Sequence, residues 1–293
     1  MTMSDDVLSA VSGVGNTAVF IAALRAAGLG HPDRLIESDP IAEAVTAAVG
    51  DAPVSRLWRA ADGSPSVLAD ALRDYVAMRT RYFDERVHSA VDEGVRQIVV
   101  LGAGLDGRAH RMRLPDATIF EIDAPEVLRA KRLLAESRNL TPTTYAVPVP
   151  TDLRDGDWPD ALQAAGYDRD LPALWLAEGL LFYLAPEDCA ALLAAVGALS
   201  APGSAFATEY PQGDLAGALD DIDGGAATRD MIAAFVQAGP QLPPQQWFAG
   251  AGWSATARDV ADWARALGRT PPDWSTWDTF TWWFATADPG PGR

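Results

Sequence analysis

Cysteine, histidine and positive charge are all scarce in this chain. Of 293 residues, one is cysteine and three are histidine. A single thiol, Cys189, cannot close an intrachain disulfide. It stands inside a helical-looking apolar pattern and reads as a packed core residue. The histidines and the cysteine form no cluster with metal-ligand spacing, so no structural zinc is expected. No apolar run reaches the roughly 18 residues of a membrane helix. The N-terminus, MTMSDDVLSA, is acidic where a secretory leader would be basic. Together these absences predict a cytoplasmic protein without a membrane partner. Lysine and arginine number 23 against 40 acids, giving a net charge of -17 and a sequence pI near 4.4. A field of that sign repels phosphate, which excludes nucleic acid and anionic membranes as natural partners. The acidity itself reads as a device for solubility. No internal repeat or extended low-complexity segment is visible.

Apolar residues are plentiful, at 48% of the chain, enough for a large core. Up to about residue 95 the pattern is helical, through Ala18–Ala27, Pro40–Val49 and Val67–Val91. Glycine and proline punctuate these stretches at Gly28, Gly30, Pro32, Pro53, Gly63 and Pro65. No strand is expected before Ile98. This predicts a helical cap or lid over residues 1–95. A sheet-based domain follows over 96–293, and a changed composition marks a substrate-binding insertion at about 211–250.

The densest signal is QIVVLGAGLDGRAHRM, Gln97 to Met112. Ile98-Val99-Val100-Leu101 reads as a buried strand of a parallel sheet. It breaks into Gly102-Ala103-Gly104-Leu105-Asp106-Gly107, and a helix is expected to follow. The glycines permit backbone angles closed to other residues and let a ligand approach the main chain. A second apolar run, Thr118–Asp123, ends in an acid 21 residues beyond Gly102. An acid there is placed to hold the two hydroxyls of a ribose. Strand, glycine turn, strand and acid describe a pocket for an adenosine-type cofactor. The turn also satisfies the dinucleotide pattern, so NAD and S-adenosylmethionine both remain open on these residues.

Later strands are expected at Thr144–Val149, Pro172–Ala177, Ala205–Thr208 and Thr276–Ala285. Helices are expected from Ala124 to about Asn139 and over Pro186–Leu199, Thr228–Ala238 and Ala257–Leu267. Asp152 and Glu178 follow strands as Asp123 does, on the rim where open α/β sheets bind ligands. Asp152 is equally suited to capping its own turn. Arg79 and Arg81 could pair with a carboxylate, although their spacing alone reads as a solvated helix face. Most of the ten tryptophans lie beyond residue 245. They suit an aromatic core seam, with some lining an apolar substrate pocket.

Several of these stretches recur together in one known family. They are Arg79-Thr80-Arg81-Tyr82-Phe83-Asp84, the run Gln97–Arg111, Glu121-Ile122-Asp123-Ala124-Pro125-Glu126-Val127, Asp152-Leu153-Arg154, and Trp175-Leu176-Ala177-Glu178-Gly179-Leu180-Leu181-Phe182-Tyr183-Leu184. A weaker match is Gly13-Val14-Gly15-Asn16-Thr17-Ala18 with Arg25. In order and spacing, over about residues 13 to 195, the chain resembles the leucine carboxyl methyltransferase-like family of class I S-adenosylmethionine-dependent methyltransferases. The resemblance implies an α/β fold: a doubly wound, Rossmann-like, mostly parallel sheet with an antiparallel last strand. It implies S-adenosyl-L-methionine as cofactor. Arg79 would then pair with the methionine carboxylate, with Arg25 as a helper. Gly102, Ala103 and Gly104 would pack under the cofactor, Asp123 would hold the ribose, and Asp152 and Leu153 would frame the adenine. Glu178 would lie near the methionine amino group. Where the family commonly has threonine or serine, Gly107 stands here, and only a modest effect is expected.

Methyl transfer is an in-line displacement, so holding the reactants in line is the main task. A carboxylate acceptor needs no general base, whereas an alcohol or phenol gains from one. The candidates for a base are Tyr183, Tyr210, His110 and Glu209, none singled out by spacing. The expected activity is O-methylation of a carboxylate or hydroxyl on a small, largely apolar metabolite, such as a polyketide-like natural product. An NAD-dependent oxidoreductase and a non-catalytic cofactor-binding protein are the alternatives. The oligomeric state has no signature in the sequence.

Overall fold

In the computed structural model, residues 16–31, 33–49, 67–214, 239–272 and 280–289 are described. The expected helix at Thr228–Ala238, the motif at Gly13–Gly15 and much of the expected insertion lie outside them. Three helices come first: α1 (Asn16–Leu29), α2 (Pro40–Val49) and α3 (Val67–Asp92). Then follow β1 (Gln97–Leu101), the single turn α4 (Arg108–Arg111), β2 (Thr118–Asp123), α5 (Pro125–Ser137), β3 (Tyr145–Pro150) and α6 (Trp158–Ala164). The chain continues through β4 (Ala173–Ala177), a short 3₁₀ turn at Leu181–Tyr183, α7 (Pro186–Leu199) and β5 (Ala205–Gly213). It ends in α8 (Pro244–Gly250), β6 (Trp253–Asp259), α9 (Val260–Ala266) and β7 (Phe280–Pro289). Among the described residues no helix is long and apolar enough to cross a membrane.

The strands form one sheet in the order β3-β2-β1-β4-β5-β7-β6. The first five run parallel, with Ile98 opposite Ile119 and Leu174. β7 runs antiparallel between β5 and β6, with Glu209 opposite Phe284. The chain reverses its order across the sheet between β1 and β4, which opens a crevice at their carboxyl ends. β1 and β4 are buried along their whole length, because helices cover both faces of a parallel sheet.

Alternation along each strand divides the core in two. Ile98, Val100, Leu174 and Leu176 point to one face, where Phe20, Leu24, Tyr82, Phe83 and Trp263 pack from the helices. Val99, Leu101, Trp175 and Phe206 point to the other, against Leu162, Leu193, Val196 and Phe248. A third cluster joins Ala22, Ile41 and Val45 of α1 and α2 to Ala130 and Leu134 of α5. On its inner side α5 also carries Lys131, the one lysine of the chain. It is buried and donates to Glu121 Oε1 at 2.7 Å.

Two expected elements need correction. The helix expected over Ala257–Leu267 begins at Val260, because residues 253–259 form strand β6. Alternate residues of WSATARD face the core, and Asp259 then caps α9 by accepting from the Asp262 N–H at 2.6 Å. β5 also runs beyond Thr208 through Pro211 to Gly213, taking in the first residues of the expected insertion.

Candidate functional site

The site is built first by the turn after β1. Gly102 and Gly104 adopt φ values of +64° and +51°, in the left-handed region that favours glycine. A Cβ on Gly102 would stand 3.0 Å from Leu180 Cδ1, so this turn and the segment after β4 lie in contact. The Gly104 N–H donates to Asp123 Oδ2 at 2.6 Å, and the Ala124 N–H donates to Oδ1 at 2.7 Å. Burial raises the Asp123 pKa, and these two N–H groups draw it back in part. Each carboxylate oxygen keeps acceptor capacity for a further donor.

A buried ionic network forms the opposite wall. Arg79 of α3 donates from Nε to Glu178 Oε1 at 3.0 Å, and its Nη1 lies 3.5 Å from Glu209 Oε1. Arg108 Nη2 donates to the second oxygen of Glu178 at 2.7 Å. Arg108 also reaches Asp84 at 2.9 Å and makes a close ion pair with Asp106. Arg111 forks onto both oxygens of Asp84, so α3 supplies both an arginine and a carboxylate to the network. Burial alone would raise the Glu178 pKa, but Arg108 and Arg79 hold it below the ordinary value. Burial would likewise lower Arg79, but Glu178 and Glu209 raise it. Charges removed from water are tolerable only when paired in this way.

Between these walls lies a cavity of about 410 Å³. Arg25, Arg79, Gly102, Ala103, Gly104, Asp123 and Glu178 all line it, with Thr17, Leu180, Phe182 and Tyr183. Arg25 is held by Asp39 at 2.8 Å and by the Leu105 carbonyl at 2.6 Å. Asp152 and Leu153 do not line the cavity. Asp152 accepts from the backbone N–H and the guanidinium of Arg154 in an exposed turn, which is the capping role the sequence also allowed. That pairing lowers its pKa to about 2. Of the four candidate bases only Tyr183 borders the cavity, and burial raises its pKa. Tyr210 is buried and donates to the Leu242 carbonyl at 2.9 Å. His110 is half-buried on α4, where burial lowers its pKa. Glu209 is wholly buried behind Arg79.

Similarity to known proteins agrees with this geometry. A family model described as leucine carboxyl methyltransferase matches residues 18–197. The chain belongs to this family. A relative from Mycolicibacterium gilvum (strain PYR-GCK), named for S-adenosyl-L-methionine-dependent methyl transfer, is 40% identical over 288 residues, covering 92% of this chain and 91% of its own. Two solved structures share the fold. One, named a methyltransferase and from Thermobifida fusca YX, covers 75% of this chain and 83% of its own at TM-score 0.53 and 19% identity. The other, a DUF574 family protein from Streptomyces avermitilis MA-4680, covers 92% of this chain and 96% of its own at TM-score 0.52 and 17% identity. The expected class I methyltransferase fold is therefore present. S-adenosyl-L-methionine, the expected cofactor, agrees with the name of the relative.

The family's departure at Gly107 has a cause that the sequence did not disclose. A Cβ there would stand 2.3 Å from Asp39 Oδ1. The Asp39 carboxylate fills the space a side chain would take, caps α2 through the Ala42 N–H at 2.9 Å and anchors Arg25. A side chain at position 107 would therefore require the Asp39 carboxylate to shift. Arg108, Asp106 and Asp84 lay within the quoted motifs but were given no role. Asp106 pairs with Arg108 two residues on, but Asp84 and Glu178 lie 24 and 70 residues from Arg108, so only the fold shows that this group braces Glu178.

Proposed function

We propose that this chain is an S-adenosyl-L-methionine-dependent O-methyltransferase that acts on a small, largely apolar metabolite, a polyketide-like acid being the first choice. One observation carries the reading: Asp123, Arg79 and Glu178 converge on a single cavity at the carboxyl ends of β1, β2 and β4. The cofactor has a ribose diol, a carboxylate and an ammonium, and these three side chains complement them in turn. Arg79 receives the carboxylate, with Arg25 beside it, and Glu178 receives the ammonium. Asp123 accepts from the ribose hydroxyls on lone pairs not taken by Gly104 and Ala124. The Gly102–Gly104 turn packs beneath the adenosine. No adenine contact is assigned to Asp152 or Leu153. An electrophilic methyl on a sulfonium is the chemistry that the cofactor supplies when bound.

The acceptor side is drawn from the aromatic groups at the Arg79 end. Phe182 packs against Tyr183 at 4.5 Å and against Trp282 at 5.5 Å between ring centroids. Such a wall favours an apolar body and excludes water from the line of transfer. Asp106 and Glu178 are already engaged by arginines, and burial keeps Tyr183 protonated. A carboxylate acceptor, already an anion, needs none of them as a base. It is therefore preferred to a hydroxyl, and the product is a methyl ester. The N-terminal helical part acts as a cap through α1, whose Thr17, Ile21 and Arg25 line the cavity.

The test begins with isothermal titration of S-adenosylhomocysteine and, in parallel, of NAD. Carboxylic acids and phenols are then offered with radiolabelled cofactor, and the products are treated with mild base. Binding of S-adenosylhomocysteine and release of labelled methanol from a base-labile product are expected. A base-stable product shifts the assignment to a hydroxyl acceptor. Cofactor binding without turnover on any acceptor favours the non-catalytic reading, and binding of NAD alone overturns the proposal.

A further inference from the structure

Glu209 is engaged on both carboxylate oxygens and belongs to no expected cofactor-binding set. It lies in the middle of β5 at 0% exposure. Its Oε2 accepts from the Tyr75 hydroxyl at 2.5 Å and from the Trp282 indole N–H. Its Oε1 accepts from the Gly179 N–H at 2.9 Å and faces Arg79 Nη1 at 3.5 Å. Four donors thus reach it from α3, from β7 and from the turn after β4. Two oxygens offer about four lone-pair sites, so none is left with which to take a proton from a substrate. Three of the four neighbours, the indole, the Gly179 amide and a guanidinium, can only donate, so a protonated Glu209 would have the Tyr75 hydroxyl alone as an acceptor for its own O–H. Burial pushes its pKa up, yet the hydrogen bonds are those of a carboxylate.

Arg79 therefore stands between two carboxylates with different surroundings. Glu178 lines the cavity and is shared with Arg108, whereas Glu209 lies behind the guanidinium and is closed to the cavity. A zwitterion entering the cavity competes for the Arg79–Glu178 pair, because its carboxylate seeks Arg79 and its ammonium seeks Glu178. The Glu209 contact lies outside that exchange. The Gly179 amide held by Glu209 belongs to the residue next to Glu178. Gly179 has φ +65°, and a Cβ there would stand 3.2 Å from Arg79 Nη1. One buried carboxylate thereby fixes both halves of the wall.

We propose that Glu209 is a positioning residue for the amino-acid half of the cofactor, holding Arg79 and the Glu178–Gly179 turn in place when the Arg79–Glu178 pair opens to admit a zwitterion. This rests on the proposed cofactor reading. It replaces the role of general base that the sequence left open for Glu209.

Two ligands separate the proposal from general damage to the fold: S-adenosylhomocysteine, which carries the amino-acid half, and 5′-methylthioadenosine, which lacks it. Both are titrated calorimetrically into the wild-type protein, E209Q and E209D. Glu209→Gln keeps the shape but turns an NH₂ towards two donors. We expect it to weaken S-adenosylhomocysteine about tenfold or more, the effect of one charge-assisted hydrogen bond, and to leave 5′-methylthioadenosine within about twofold. E209D keeps the charge but withdraws it by one methylene, and the same selective loss is expected on a smaller scale. It carries the test alone should E209Q not fold. Equal loss of both ligands assigns Glu209 a purely structural role and overturns the proposal. So does wild-type affinity for both. If the wild-type protein binds neither ligand, the cofactor reading itself has failed and the proposal falls with it.

Discussion

A few carboxylates fix the character of the site, and their environments set their tasks. Asp123 offers its remaining lone pairs beside the glycine turn. Asp123→Ala should raise the dissociation constant of S-adenosylhomocysteine by roughly 10- to 100-fold, from the ~1.5–3 kcal/mol of a charged hydrogen bond. Unchanged affinity in calorimetry would remove Asp123 from the ribose. Gly107 gives a second test. Threonine there, one of the two residues common in the family, would place its Cβ 2.3 Å from Asp39 Oδ1, so the carboxylate would have to move. Gly107→Thr should lower the melting temperature and loosen the hold on Arg25; an unchanged melting curve would show that Asp39 has room to withdraw. At this scale the sequence was partly legible. Asp123, Arg79 and Glu178 were named from motif position and do meet in one cavity. Asp152 was named by the same logic and does not, because Arg154, two residues on, engages it. The bracing by Arg108, Asp84 and Glu209 was hidden because each pairing spans tens of residues in sequence and depends on strand order.

Among the elements, those with a strong period were legible and those of mixed character were not. The continuous apolar runs of β1 and β4 and the turn after β1 announced a parallel sheet. β6 was missed because, after Trp253, its inward positions are Ala255 and Ala257, and alanine is also a good helix former. Its strand state comes from pairing with β7, where Ala257 stands opposite Ala285. α9 then docks on α3, with the Trp263 indole N–H donating to the Met78 carbonyl at 2.9 Å. Trp263→Phe keeps most of the ring and removes that bond. A loss of about 0.5–1.5 kcal/mol is expected in urea unfolding, and a loss near zero would mean that packing alone holds the helix.

At the scale of the whole molecule, the described interior holds, beside its paired charges, a set of thiol and phenol groups that resist ionisation. Burial pushes the Cys189 thiol up to about 12 and raises the phenols of Tyr82, Tyr167, Tyr183 and Tyr210. In the unfolded chain these groups lose their protons near their ordinary values. Above about pH 9 the unfolded state therefore binds fewer protons than the native one, and stability should fall as pH rises. Denaturation midpoints between pH 8 and about 11 test this, and a flat profile would contradict it. Replacing Cys189 with alanine should remove the earliest part of the slope.

The Lys131–Glu121 pair has a practical side. With its one lysine buried on α5 and its one cysteine buried on α7, the chain offers neither side chain to amine- or thiol-directed reagents while folded. Covalent tagging at either position, read by mass spectrometry of the two peptides, would then act as a clock. It would tick only when the corresponding face of the sheet opens, and the two rates together would tell whether the faces come apart as one or separately.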